Sequence, residues 1–146
     1  DGHANRCSVI PLRGRPDVDI VYRKDFDSSD FSEMTLLHPD GEIRTIRPDE
    51  HILLVDSNWT QAKRTYNRLS RKYPSMKRIA LHGVKSAYPW KGPGCPENSL
   101  ASVEALYTVT WLIGQPDESL LAHYYFRGPF LKSFVNLGES NGRIIP

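Results

Sequence analysis

Between residues 57 and 96 the chain has no aspartate or glutamate. Nine cations occupy that span: Lys63, Arg64, Arg68, Arg71, Lys72, Lys77, Arg78, Lys85 and Lys91. The net charge of +2 hides this segregation, because the rest of the chain stands at −7. A block of one sign is an electrostatic footprint for a polyanion, its plainer alternative being a solvated helical face. Cysteine is scarce: Cys7 and Cys95, with no Cys-x-x-Cys pair, exclude a zinc knuckle and say little about secretion. The five histidines (His3, His38, His51, His82 and His123) have no metal-ligand spacing, so no metal is expected. Long apolar runs are also missing. The best, residues 105–113, is interrupted by Thr108 and Thr110, so no membrane association is expected. There is no signal-peptide pattern, internal repeat or low-complexity tract. The first residue is Asp1 rather than Met, and the chain is expected to be a piece of a longer protein.

What is present reads as one globular domain over residues 1–146, with 39% apolar and 25% charged residues. Short strands are predicted at 19–22, 33–37 and 43–46, with a turn at Pro39-Asp40-Gly41. Residues 51–55 form a nearly unbroken apolar run, the mark of a strand covered on both faces. Trp59, Ala62, Tyr66, Leu69 and Tyr73 then recur at three- and four-residue steps, one face of a helix that Pro74 ends. Residues 77–81 look like the next strand, and the whole is a βαβ unit with a parallel sheet. The fold class is therefore α/β, a mostly parallel sheet with flanking helices. A long Gly/Pro loop spans residues 82–99, and loops of that length are usually functional or disordered. A helix is predicted from about 99 to 113, with Leu100, Val103, Leu106, Tyr107 and Thr110 inward and Gly114-Gln115-Pro116 as its stop. A last helix is expected from 117, with Leu120, Leu121, Tyr124 and Tyr125 as its apolar face, broken at Gly128-Pro129.

Three stretches carry chemistry. Asp56 closes the apolar run at the mouth of the basic helix, where ligands bind in open parallel sheets. Its alternative role is a helix cap, which Ser57 or Asn58 could also fill. The loop supplies Lys85, Ser86, Tyr88, Trp90 and Lys91, cations interleaved with aromatics that suit phosphates and bases. The alternative is an ordinary Pro-rich loop packed on the core. Residues 99–106 place small and hydroxyl side chains at a helix start, whose free amides can receive a ligand. Glu104, one turn in, could simply complement the helix dipole.

In order and spacing, residues 50–110 resemble the DTW-domain family. Asp56-Ser57-Asn58-Trp59 matches its Asp-x-x-Trp motif, with Lys63 following in the helix. Residues 86–91 match a Ser-x-Tyr-x-x-Arg-like loop, and residues 100–105 a Leu-Ser-Thr-x-Glu-Ala segment. Three positions depart from the pattern: the family's usual Thr is Asn58, its loop Arg is Lys91, and its Ser-Thr pair is Ala101-Ser102. A lysine supplies charge at 91 but not a bidentate fork.

The resemblance implies an S-adenosylmethionine-dependent transfer of a 3-amino-3-carboxypropyl group to N3 of a uridine in tRNA. It also implies a SPOUT-like, trefoil-knotted architecture and an intracellular location, cytoplasmic or nuclear. Related readings are the same transfer to ribosomal RNA, RNA methyl transfer, or an RNA-binding domain without turnover. On this resemblance Asp56 is the catalytic base, its pKa raised by partial burial at the strand end. Ser86, Tyr88, Lys91, Leu100, Ala101 and Ser102 are the candidate adenosylmethionine contacts, Lys91 or Ser86 for its carboxylate and residues 100–102 for its adenosine. Lys63, Arg64, Arg68 and Arg71 are the candidate tRNA contacts. Trp59 is expected in the core.

Overall fold

A computed structural model describes residues 9–81, 83–89 and 99–139, the last five by their backbone alone. Its centre is a three-stranded parallel sheet in the order β2-β1-β3, formed by β1 (Thr35–Glu42), β2 (Ile52–Leu53) and β3 (Arg78–Ile79). The parallel α/β class expected from sequence is what the chain adopts. Alternation along β1 decides the layering. Leu36 packs with Leu69 and Phe31, joined by Leu53 and Val55. Leu37, its neighbour, packs the other way with Ile79 and Ala105, joined by Ile52 and Leu54. Each face of the sheet thus carries one helix, α1 (Trp59–Lys72) on the first and α2 (Ser102–Leu112) on the second.

The basic helix α1 begins where Asn58 accepts a hydrogen bond from the Gln61 amide at 2.9 Å. Only a narrow stripe of it is apolar, with Ala62 and Leu69 buried. It ends at Tyr73, whose position before Pro74 disfavours helical backbone. Helix α2 is different, since it is covered on two sides. Ala105 faces the sheet, while Val103 and Tyr107 join Phe130 and Phe134 of α3 (Arg127–Glu139). Gly114, at φ 82°, turns the chain out of α2. A short 3-10 turn at Glu118–Leu121 then buries Leu120 and Leu121 in the same cluster.

Several expected elements are absent. Residues 19–22 and 43–46 form no strand: Val21, Tyr22 and Ile43 are exposed, and among the described residues no strand pairs with them. The run at 51–55 keeps only two residues in the ladder, and it is a half-buried edge rather than a covered strand. The turn at Pro39-Asp40-Gly41 lies inside β1. There the register jumps, Ile79 pairing with both Leu37 and Glu42, so residues 38–41 bulge out of the ladder. Gly41 is required at this point, because a Cβ would stand 2.5 Å from the carbonyl carbon of Ile79. The helix expected from 117 is a 3-10 turn, and Tyr125 is 89% exposed rather than on an apolar face. Gly128-Pro129 sits in the first turn of α3 instead of breaking a helix, a place where the missing proline N–H costs nothing. No described helix is long and apolar enough to cross a membrane.

Candidate functional site

The three motif stretches meet at the start of α2. Ser102, its first residue, donates its hydroxyl to Oδ1 of Asp56 across 46 positions of sequence. Asp56 is exposed, not partly buried as expected, and lies just beyond the end of β2. It is not the helix cap, for Asn58 fills that role. Its Oδ2 has no hydrogen-bond partner among the described residues.

Two residues further along α2, Glu104 is wholly buried and organises the other two stretches. Its Oε1 accepts from the Ser86 hydroxyl at 2.5 Å and the Ala101 amide at 2.8 Å. Its Oε2 accepts from the Ala87 amide at 2.7 Å and the Tyr124 hydroxyl at 2.9 Å. The Ala101 bond is half of a capping box; the reciprocal half is missing, since alanine has no side-chain acceptor. Four bonds saturate both oxygens, so Glu104 is a fastener and Asp56 the accessible carboxylate. Burial, followed by the Glu104 charge, holds the Tyr124 phenol well above its usual range, which keeps it a donor.

Sequence reasoning gave Glu104 only a helix-dipole role. The missed signal was its place among Val103, Ala105 and Tyr107, on the side of the helix that packs inward. A carboxylate there has to be met by donors.

The loop residues are positioned as follows. Ser86 donates to Glu104 and accepts from the Tyr88 amide at 3.0 Å, so its hydroxyl locks the loop. The Tyr88 ring lies edge-on to Phe126 at 5.9 Å. Leu100 packs against both clusters around α2. First-turn amides of α2 have no carbonyl within the helix to meet, which leaves a donor set suited to an anion or an adenine edge. Lys91 and Trp90 lie outside the described residues. Among the described residues no three His, Cys, Asp or Glu side chains cluster for a metal.

The predicted RNA contacts fall into two groups. Lys63, Arg64 and Arg71 are exposed on α1. Arg68 is engaged, paired with Asp27 at 2.8 Å and stacked over the Phe26 ring at 4.3 Å. Trp59 is half-buried and edge-on to Tyr66 at 6.1 Å. No protein-family model matches the chain, and no curated protein matches it.

Proposed function

We propose that this domain transfers the 3-amino-3-carboxypropyl group of S-adenosylmethionine to N3 of a uridine in tRNA. The observation carrying the reading is the convergence just described. Asp56, the 86–88 loop and the 101–104 helix start are far apart in sequence, yet two hydrogen-bonded sets, on Ser102 and on Glu104, bring all three to the first turn of α2. The knotted form of the fold and a role as one catalytic domain belong to the same proposal; a small parallel sheet supports them. An intracellular location follows from a tRNA substrate.

The residues suit the chemistry. Uridine N3 is a poor nucleophile while it holds its imide proton, and in this proposal Asp56 accepts that proton on Oδ2. Ser102 fixes the carboxylate by occupying Oδ1. A base so positioned contributes about 10²- to 10⁴-fold. Adenosylmethionine supplies a carbon activated by its sulfonium, so that the N–C bond forms as the C–S bond breaks and methylthioadenosine carries off the electron pair. Residues 100–102 offer backbone groups for its adenosine, and Tyr88, in the loop that Glu104 fastens, is a further contact. Lys91 is proposed for its carboxylate. Lys63, Arg64 and Arg71 hold the RNA, joined by Arg68 as argued below.

Adenosylmethionine labelled separately in the methyl and the carboxypropyl carbons, incubated with tRNA, tests this. Carboxypropyl label should enter the RNA while methyl label stays with the small-molecule product. Methyl label in RNA would make the domain a methyltransferase. No label in RNA that the chain nonetheless binds would make it a binding domain.

A further inference from the structure

Residues 23–31 run alongside α1. Arg23 donates to Gln61 at 2.8 Å, Asp27 takes Arg68, and the Phe31 amide donates to the Tyr73 hydroxyl at 3.0 Å. Between this segment and the last turns of α1 lies an open groove of about 340 Å³, lined by Phe26, Asp27, Arg68, Arg71 and Lys72. Phe26 is the floor for its cations, with the Lys72 ammonium 5.8 Å from the ring centre beside the stacked Arg68 guanidinium. The Asp27 side chain is 85% exposed, and its carboxylate pairs with Arg68 at the groove.

We propose that this groove is a phosphate subsite for RNA and that Asp27 is its resident phosphate mimic. Exposed ion pairs are weak, so a phosphodiester can displace the Asp27 carboxylate without disturbing the fold. Part of the positive charge of Arg71 and Lys72 complements the C-terminal end of the α1 dipole. That role asks for cations anywhere in the last turn, whereas Arg68 stacked over Phe26 and Lys72 donating to the Asp27 carbonyl at 3.3 Å are both held around one point. The ligand is a backbone phosphate rather than a free one, because the exposed cations continue from Arg71 back to Arg64 and Lys63. At 1.5 Å per residue that line is about 12 Å long, enough for more than one phosphate of a strand. Only the identity of the polyanion as tRNA rests on the function proposed above.

The test uses the whole chain, with tRNA and with oligouridylate, titrated between about 50 and 200 mM salt. Asp27→Asn should bind both RNAs several-fold more tightly at the low-salt end. Its slope of log affinity against log salt should be steeper by about 0.7, the value for one phosphate of a single strand. Asp27→Glu, which restores the carboxylate, should bind like the parent. Adding Arg68→Ala to Asp27→Asn should cancel the gain. A gain that survives the loss of Arg68, or no gain at all, overturns the proposal. Inorganic phosphate that competes with RNA at equal affinity would also overturn it, in favour of a free-phosphate site. Failure of the labelling experiment together with an intact Asp27 effect would reject the transferase while keeping the groove.

Discussion

Two carboxylates, one held by Ser102 and the other borne by α2 itself, differ in what surrounds them. Asp56 is open on one oxygen, so Asp56→Asn should abolish transfer while leaving adenosylmethionine affinity within a few-fold, as read by turnover and calorimetry. Near-normal turnover would remove the base from the mechanism. Ser102→Ala should lower kcat with little change in KM, and Ser102→Thr should restore most of it, because the hydroxyl acts through Asp56. Glu104 is the reverse case. Glu104→Ala strands the Ser86, Ala87, Ala101 and Tyr124 donors, costing at least about 3 kcal/mol in denaturant unfolding. A loss under about 1 kcal/mol would show that water satisfies these donors and that Glu104 fastens little. The pairing of Asp56 with Ser102 could be reached from sequence only by matching motifs, since no local pattern brings the ends of a strand and a later helix together. The burial of Glu104 is legible in its apolar neighbours, Val103, Ala105 and Tyr107.

At the scale of elements, α1 was readable because its apolar stripe, its cap and its following proline agree. The predicted strands at 33–37, 51–55 and 77–81 overlap β1, β2 and β3, but those at 19–22 and 43–46 do not form, because apolar alternation makes a strand only where another edge accepts its hydrogen bonds. Ile46 is buried, yet Arg44 beside it turns to Glu50 and to the Thr45 carbonyl, and the segment never straightens. The bulge in β1 brings its own prediction. Gly41→Ala places a methyl against the Ile79 backbone, which has no flexible end to give way, and should cost about 2–3 kcal/mol. Wild-type stability in that variant would mean that the bulge relaxes freely. For α1, reversing Lys63 and Arg64 to Glu should weaken tRNA binding steeply at low salt and hardly touch adenosylmethionine affinity. Unchanged affinity at low salt would reduce these cations to a solvated face.

For the whole molecule, pH acts through Glu50. Its side chain is 5% exposed and receives Arg44 at 2.5 Å and the Thr35 hydroxyl at 2.6 Å. The Arg44 hydrogen bond, first among the causes, holds Glu50 down at about 2. A depressed carboxylate contributes stability that is fully present above its unfolded value and is lost as pH falls through the folded one. Glu50→Gln should therefore be less stable at pH 7 by on the order of 2–3 kcal/mol, and its difference from the parent should vanish near pH 2. A difference that persists unchanged into acid would assign the loss to packing instead of charge. Adenosylmethionine, binding only the folded chain, should raise Tm and slow amide exchange in residues 86–89 and 100–102. Exchange unchanged in both stretches would move the pocket elsewhere.

The central strand of the sheet is also the first to leave the ribosome. β1 pairs with β2 and β3, and both follow it in the chain, β3 only after all of α1. A nascent chain that has made α1 but not β3 therefore exposes one whole edge of β1, including Leu37, which is 5% exposed in the finished fold. Helix α1 forms from local contacts and can wait; the sheet cannot close until its last strand arrives. Refolding should accordingly be limited by the long-range β1–β3 pairing, on a timescale of milliseconds to seconds. A chain stalled or cut before Arg78 is the form most prone to stick to its neighbours, through the open edge of β1.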